Sequence, residues 1–298
     1  MRQFLRNIAV FFLILIGIAV MLEIIGESIP NSYTYKRVYM EQHAPQIQTL
    51  FLGSSNVYDA CAASEVPNAF NLANSSQTVE DDYRLLARYI DDMDSLQTVV
   101  LGIGYSILAE KLVDNRRLYY TVYMGLYPRW PLSEYSFEVC NLELLAKKML
   151  RYAVSRDVTR CDSLGQRLGH TAAAAQIRAE FWNKDVEELV ENDRMDLTQK
   201  KDVITENCDY LQRIAQMCRD KGVQFVLVVM PVMPEYKAAI PQEQVRLVDS
   251  VMAAMPENVK CIDASEWAIP EDGWYNATHL TREAAVEFTR ELMNGLTD

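Results

Sequence analysis

The chain has 298 residues, half of them hydrophobic, which allows one large domain or two small ones with a sizeable core. Its 29 basic and 41 acidic residues give a formal charge of −12, and an acidic chain repels phosphate backbones, so we expect no nucleic-acid partner. The sequence has no block of like charges and no low-complexity tract, which excludes a largely disordered chain.

The N-terminus predicts a membrane anchor over residues 1–29. Fifteen consecutive residues, Ile8–Leu22, have no polar side chain, and two arginines precede them. With the residues up to Gly26, the run approaches the roughly 20 apolar residues that a bilayer core requires, provided that Glu23 lies at the interface. A cleaved secretory signal is the alternative, although no Ala-x-Ala-like site follows the run. Both interpretations place residues 30–298 outside the cytoplasm, because the positive end stays inside.

Apolar runs and helical periodicity alternate along the rest of the chain. Runs without polar alternation predict buried strands at about 47–53, 69–77, 96–106, 223–234 and 259–265. Between and after them, apolar spacing predicts amphipathic helices over 79–90 and 203–221, and a last helix that begins near Thr281 as its N-cap. Such strands, separated by helices, indicate an α/β fold: a mainly parallel sheet between two helical layers. Ligands of such sheets bind beyond the carboxyl ends of the strands.

Residues from about 107 to 200 interrupt this alternation. The segment begins with an aromatic-rich stretch, "RLYYTVYMGLYPRWPLSEY", and continues with mostly helical sequence. We interpret it as a long insertion between two core strands of a domain that covers 30–298. The insertion could form a lid or a wall of the substrate site, or its aromatic residues could pack into a small core of their own.

The six cysteines and the other metal-ligating residue types predict neither a metal site nor a cofactor. No Cys-x-x-Cys pair is present, which excludes a zinc ribbon and a thioredoxin motif. Cys208 and Cys218 fall on one predicted helix about 15 Å apart, so they cannot bond to each other. We expect free cysteines that act as small buried hydrophobic residues.

A serine becomes a nucleophile when a base takes its proton and hydrogen-bond donors hold the oxyanion. The first predicted strand ends in Gly53 and two serines, of which Ser55 is the second. We interpret His43 and His170 as surface or packing residues. His279 lies just before the last predicted helix, at the ligand edge of the sheet, so it can meet Ser55 across 224 positions of sequence. The alternative role for Ser55 is an N-cap of the helix after the first strand.

The order of these features resembles the SGNH/GDSL hydrolase superfamily. That superfamily has a Gly-Asp-Ser-like block after its first strand and Asp-x-x-His near its C-terminus. The Gly-Ser-Ser sequence that ends in Ser55 corresponds to the first block, and "NATH" corresponds to the last, with Asn276 where Asp is usual. The resemblance covers about 50–106 and 223–292. It implies that Ser55 is the nucleophile, that His279 is the base and that Asn276 orients His279.

Two further blocks of the superfamily supply oxyanion donors. "NLANSS" corresponds to one of them, with Ala73 where glycine is usual, and "GIGYS" corresponds to the other, with Ser106 where asparagine is usual. The resemblance implies that the backbone N–H groups of Ser55 and Ala73, with the side chain of Asn74 or Ser106, hold the oxyanion. It also implies an SGNH/flavodoxin-like fold and no cofactor.

The anchored layout and "WYNATHLTREAAVEF" are similar to one branch of the superfamily, the D-alanyl transfer proteins of teichoic acid modification and the alginate O-acetylation proteins. The resemblance implies an esterase or O-acyltransferase outside the cytoplasm that acts through serine and histidine on an acylated cell-surface polysaccharide. It implies a membrane-bound O-acyltransferase as a partner.

The amide at Asn276 leaves the activity open. Its side-chain oxygen could orient the base, as could a backbone carbonyl, Asp263 or Asp272. Replacing the aspartate by an amide in a serine protease triad reduced turnover about 10⁴-fold through the wrong tautomer. The alternative function is therefore a catalytically impaired glycan-binding or scaffold protein, because the chemistry of the site rather than the fold decides function.

Overall fold

A computed structural model describes residues 1–112, 114–156, 159–171 and 182–297. Its strands are Thr49–Gly53 (β1), Ala69–Asn71 (β2), Thr98–Ile103 (β3), Gln224–Val229 (β4), Val259–Asp263 (β5), Trp274–Asn276 (β6) and His279–Leu280 (β7). Its α-helices are Arg2–Ser28 (α1), Ser32–His43 (α2), Ser55–Ala60 (α3), Val79–Tyr89 (α4), Asp114–Leu118 (α5), Leu142–Ser155 (α6), Trp182–Asp193 (α7), Lys201–Asp220 (α8), Pro234–Ala239 (α9), Gln242–Ala253 (α10) and Arg282–Thr297 (α11).

Five strands form one parallel sheet in the order β2-β1-β3-β4-β5. Leu50, Val99 and Phe225 lie side by side in adjacent strands and are fully buried, as the strand sequences without polar alternation predict. Helices cover both faces of this sheet: α4 packs with α8, and α3 packs with α11 and lies against β1 and β3. The α/β fold class that the sequence predicts is confirmed.

Two helix starts in this fold have side-chain caps. Thr78 and Asp81 form a capping box at the start of α4, in which each side chain accepts a hydrogen bond from the other residue's backbone N–H. At the start of α11 the Thr281 hydroxyl accepts a hydrogen bond from the Ala284 N–H, as the sequence predicts for its N-cap. The last helix therefore has a fixed first residue, immediately after β7.

The chain divides into two compact units, Met1–Val38 with Val113–Arg160 (unit 1) and Tyr39–Leu112 with Cys161–Asp298 (unit 2). The parallel sheet belongs to unit 2. The domain boundary at residue 29 and the insertion over about 107–200 stay predictions, and residues 172–181 of that insertion lie outside the described residues.

In unit 1, α1 is long and apolar enough to cross a membrane, and its apolar side chains are exposed along most of its length. The last turns of α1, in contrast, pack against other residues of unit 1. A side chain at Gly26 would come within 2.9 Å of Glu138 and Leu145, so this residue allows α1 to approach them closely. The carboxylate of Glu23 accepts a hydrogen bond from the Val139 N–H at 3.0 Å. The end of α1 is therefore packed within its unit.

The aromatic residues of the predicted insertion form much of the core of unit 1. Tyr120 and Tyr123 are buried, and the ring of Tyr33 stacks on Tyr119 and meets Tyr120 edge to face. The Tyr123 hydroxyl hydrogen-bonds with Glu138. These rings pack together with Tyr33, which precedes the insertion, and both alternatives for the insertion stay predictions.

Among the described residues, which include all six cysteines, no disulfide is formed. Cys61, Cys161 and Cys218 are buried, and burial raises the pKa of the Cys218 thiol to about 12, so it stays protonated at neutral pH. Cys140 and Cys261 are exposed, so the expectation of buried cysteines applies to only some of them.

Candidate active site

The candidate nucleophile lies at the carboxyl end of β1. Gly53 ends this strand and donates its N–H to the buried Asp82 carboxylate at 2.9 Å. Ser55 then opens the short helix α3. The side-chain amide of Asn71 donates to the carbonyls of Val57 and Cys61, at 3.0 and 2.9 Å, and so satisfies backbone acceptors of this helix. Strand end and helix are thus both fixed by buried side chains.

The candidate base lies on the antiparallel pair β6–β7. His279 Nε2 is 2.8 Å from the Ser55 Oγ, within hydrogen-bond distance. The two residues are 224 positions apart in sequence. The structure therefore brings together the early serine and the late histidine that the sequence analysis selects, in the arrangement of a nucleophile and its general base.

The side chain of Asn276 decides which nitrogen of His279 carries the proton. Asn276 Oδ1 is 2.9 Å from His279 Nδ1 and accepts the backbone N–H of Thr278 at 3.0 Å. A backbone N–H only donates, so the Asn276 atom that faces Thr278 must be the oxygen. The same oxygen then accepts the Nδ1–H of the imidazole, and Nε2 is left free to accept the Ser55 proton. The amide is thereby held in the orientation that an aspartate would provide.

Asp263 and Asp272, the two alternatives for orienting the base, do not contact the imidazole of His279. Asp263 accepts the backbone N–H of Ser265 at 2.9 Å. Among the described residues, neither Asp263 nor Asp272 hydrogen-bonds with His279. In the predicted "NATH" block, Asn276 Oδ1 and the Thr278 hydroxyl contact the second ring nitrogen, at 2.9 and 3.0 Å.

Burial lowers the pKa of His279 to about 4. The Asp59 carboxylate opposes this shift, and the charges of Arg167 and His170 reinforce it. At neutral pH the imidazole is therefore unprotonated and able to accept a proton.

Three residues beside the candidate pair were missed by the sequence analysis. Asp59 is buried, and its Oδ2 lies 3.8 Å from His279 Nε2, 3.1 Å from an Arg167 nitrogen and 3.2 Å from His170 Nδ1. His170, interpreted as a surface or packing residue, stacks on the ring of Tyr275 at 3.6 Å and meets His279 edge to face at 6.0 Å. A carboxylate so close to the base supplies negative charge that Asn276 lacks.

One of these residues had a signal in the sequence. Asp59 is four positions after Ser55, and residues at this spacing lie on the same face of a helix. Arg167 and His170 lie in the segment of the predicted insertion after residue 161, and no sequence spacing connects them with Ser55.

A cavity of about 190 Å³ opens beside the serine and histidine. Its walls include the ends of β1 and β3 and part of α7, with the polar residues Ser106, Glu110, Asp193 and Tyr236. The Tyr236 hydroxyl donates to Asp193 at 2.6 Å, and burial raises the pKa of both carboxyls, Glu110 and Asp193. The cavity wall is thus rich in hydrogen-bonding groups.

The predicted oxyanion donors lie in different environments. Ser106 lines the cavity, but its hydroxyl donates to Glu110 at 2.5 Å. Ala73 and Asn74 are buried near the end of β2, and the Ala73 N–H donates to the side-chain oxygen of Asn71 at 3.1 Å. The assignment of these three residues to an oxyanion site stays a prediction.

Comparisons with known proteins place the chain in no family. No family model matches it, and no curated protein matches it. It is similar to a solved structure of a protein from Streptococcus pneumonia that is described as a candidate platelet activating factor. That match has a TM-score of 0.41 and 12% sequence identity and covers 97% of this chain and 99% of that one.

Proposed function

We propose that the protein is a serine esterase or O-acyltransferase that acts outside the cytoplasm on acyl esters of a cell-envelope glycan. The observation that carries this proposal is the 2.8 Å contact between Ser55 Oγ and His279 Nε2, with His279 Nδ1 bound to an oriented oxygen of Asn276. A nucleophile, a base and a group that orients the base are the three parts that such chemistry needs.

In this proposal Ser55 Oγ attacks the acyl carbonyl carbon while its proton moves to His279 Nε2. The resulting oxyanion collapses, the bond to the leaving alcohol breaks, and the Nε2 proton passes to that alcohol. The acyl group is then esterified to Ser55. Water or a second hydroxyl then gives its proton to Nε2 and attacks the acyl carbon. The bond from that carbon to Ser55 Oγ breaks and the Nε2 proton returns to Oγ, which completes hydrolysis or transfer. During these steps the buried carboxylate of Asp59, 3.8 Å from Nε2, stabilises the imidazolium.

For the oxyanion we favour the backbone N–H of Ser55, at the start of α3. Ser106 lies on the cavity wall, and its participation requires its hydroxyl to leave Glu110, to which it donates. Asn56 lines the same cavity and is a further donor in reach. Participation of Ala73 requires its N–H to leave Asn71, to which it donates. Only the resemblance to the superfamily supports Asn74 as an oxyanion donor.

The polar cavity wall supports a hydroxyl-rich substrate. Glu110, Asp193 and Tyr236 line the same cavity as the nucleophile and offer acceptors and a phenol, which suits sugar hydroxyls. The cavity of about 190 Å³ is below the usual size of a ligand pocket, so we expect a short acyl group such as acetyl. The membrane helix α1 supports action close to the envelope, with a membrane-bound O-acyltransferase as the proposed partner.

A fluorophosphonate probe and a chromogenic acetyl ester test the proposal on the full chain in detergent. We expect the probe to label the wild type and Ser54→Ala, and to leave Ser55→Ala and His279→Ala unlabelled. Ser54 is the matched control, because it is the adjacent serine and its side chain makes no capping hydrogen bond. Labelling of Ser55→Ala, or loss of labelling in Ser54→Ala alone, would contradict the assignment.

A non-catalytic glycan-binding or scaffold function is the second candidate. It is favoured by the neutral residue at Asn276 and by the hydrogen bond that already uses the Ala73 N–H. Absence of labelling in the wild type, together with binding of an acylated glycan, would support this second function.

A further inference from the structure

Unit 1 contains a cavity of about 340 Å³ immediately after the membrane helix. One side of it is the segment 29–33, which directly follows α1. The rest of the lining includes Tyr119, Leu144 and five basic residues: Arg116, Lys147, Lys148, Arg151 and Arg160. In a chain with a formal charge of −12, so many cations around one cavity indicate a site for an anion.

The cations are only partly neutralised by the protein. Lys147 pairs with Glu143 at 2.5 Å and Lys148 pairs with Glu138 at 2.7 Å. Arg116 has no hydrogen bond or ion pair within the part of the chain that the structure describes, and neither has the exposed Arg151.

Three of the basic residues that line this cavity carry guanidinium groups: Arg116, Arg151 and Arg160. Tyr119 lines the same cavity. Burial raises the pKa of its hydroxyl, and the charges of these three arginines oppose that rise. Guanidinium groups match the oxygens of a phosphate group, which accept paired hydrogen bonds.

The position of the cavity matches the depth of lipid headgroups. Glu23, where the apolar run of α1 ends, is six residues before Ile29 at the cavity, a rise of roughly 9 Å in a helix. The polar region of a leaflet begins where the hydrocarbon ends and is several Å thick, so a cavity at this distance from the apolar run lies within reach of lipid headgroups.

The helix that supplies three of the basic residues also has an unpartnered apolar face. Leu142, Leu150 and Val154 on α6 are 60%, 67% and 79% exposed, and they follow the four-residue spacing of one helix face. Trp130, elsewhere in unit 1, is 73% exposed. Exposed leucine, valine and tryptophan beside lysine and arginine are typical of a helix that lies in a membrane interface.

We propose that this basic cavity binds the phosphate group of an anionic lipid in the leaflet where α1 ends, with the apolar face of α6 in the same leaflet. The inference is independent of the proposed acyl chemistry, because all of its residues lie in unit 1 and none belongs to the serine–histidine site. The bilayer around α1 is the source of the ligand rather than free phosphate, because the apolar face of α6 requires a hydrophobic partner.

The test uses the full chain in neutral detergent, with phosphatidylglycerol retention measured by native mass spectrometry. We expect the wild type to retain phosphatidylglycerol and not a neutral glycolipid with the same acyl chains. Arg116→Gln/Arg151→Gln should weaken retention at least about tenfold, because each lost charge-assisted hydrogen bond is worth about that factor or more. Lys201→Gln/Arg246→Gln, which removes two exposed charges from unit 2, should retain lipid like the wild type.

Three results would overturn the proposal: equal retention by the Arg116/Arg151 variant, equal retention of the neutral glycolipid, or displacement of phosphatidylglycerol by millimolar inorganic phosphate. The last result would identify a free-phosphate site. Thermal unfolding checks that the variants are folded. If the double variant melts early, Arg151→Glu replaces it, because Arg151 is exposed on α6 and a reversed charge there should abolish retention without disturbing the core.

Discussion

At the scale of single residues, the site depends on an amide that takes the place of the usual carboxylate. An amide can rotate and present its NH₂ group to the imidazole, which would leave the proton on the wrong nitrogen. In this protein the Thr278 N–H holds the Asn276 oxygen at 3.0 Å, so rotation would place two donors against each other. The geometry of the usual triad is kept while its charge is lost.

This argument predicts the behaviour of two substitutions at Asn276. Asn276→Ala removes the acceptor for His279 Nδ1–H, so we expect ester turnover to fall roughly 10²- to 10⁴-fold. Asn276→Asp keeps the acceptor and adds a charge that stabilises the imidazolium, so turnover should equal or exceed that of the wild type. Steady-state hydrolysis of the acetyl ester measures both. Equal rates for the alanine variant and the wild type would mean that the amide does not orient the base.

The low pKa of His279 predicts the pH profile. In the proposed chemistry the unprotonated imidazole of His279 is the base, so kcat/KM should be constant at neutral pH and should fall as the pH decreases through about 4. Asp59→Asn removes the negative charge that opposes this low pKa, and leaves the positive charges of Arg167 and His170. The acid limb should therefore move to lower pH, and turnover at neutral pH should decrease.

Asp209→Asn is the control for that profile. Asp209 forms an ion pair with Arg213 at 2.8 Å on α8 and is absent from the groups that act on His279, so its profile should match the wild type. An acid limb that stays in place in Asp59→Asn would remove Asp59 from the electrostatics of the base.

At the scale of elements, the apolar runs were enough to predict the sheet. The first strand was expected at about 47–53 and is Thr49–Gly53, and the fourth was expected at 223–234 and is Gln224–Val229. The fourth strand ends earlier because Pro231 cannot continue the ladder and Pro234 starts α9. The expected strand at 69–77 has only three residues in the ladder, Ala69–Asn71.

The pair β6–β7 and the segment 161–171 could not be predicted in the same way. Strands of two or three residues have too few positions for a periodic pattern. The segment 161–171 reaches the sheet through backbone contacts, such as the Asn71 N–H donating to the Leu164 carbonyl at 2.9 Å, and these depend on no particular side chain. Arg167 and His170 reach the site through this segment, so their positions had no signal in the sequence.

The same segment gives a prediction about Gly165. A side chain there would lie 2.1 Å from the Asn71 carbonyl oxygen, whereas one at Gly169 would meet no atom within 4 Å. Both glycines have positive φ, at 88° and 101°, so alanine causes the same backbone cost of about 1–2 kcal/mol at both sites. The free energy of unfolding should decrease by about 1–3 kcal/mol more in Gly165→Ala than in Gly169→Ala, because the backbone at Asn71 or at residue 165 must move to admit the methyl group.

Chemical denaturation of the two alanine variants in detergent measures this difference. Gly165→Ala should also reduce ester turnover, since the displaced segment carries Arg167 and His170. Equal stability of the two variants would show that the segment is not held against β2 as described.

At the scale of the whole molecule, the question is whether α1 stays on the mature chain. A secretory signal is removed and contributes nothing to the folded protein. In unit 1, however, Gly26 packs against Glu138 and Leu145, and the Glu27 carboxylate pairs with Arg129 at 2.9 Å. Cleavage near residue 29 would take these contacts away and leave the carboxylate of Glu138 beside an open space.

We therefore predict that the protein isolated from membranes keeps α1. Intact mass spectrometry should show that the mature chain still contains α1, and alkaline carbonate should leave the protein in the membrane fraction. A chain that starts at Ile29 serves as the reference for a cleaved product, and it should unfold at a lower temperature because unit 1 has lost its first helix. A mature protein with the mass of that reference would identify α1 as a signal, and the lipid site proposed beside its end would lose its anchor.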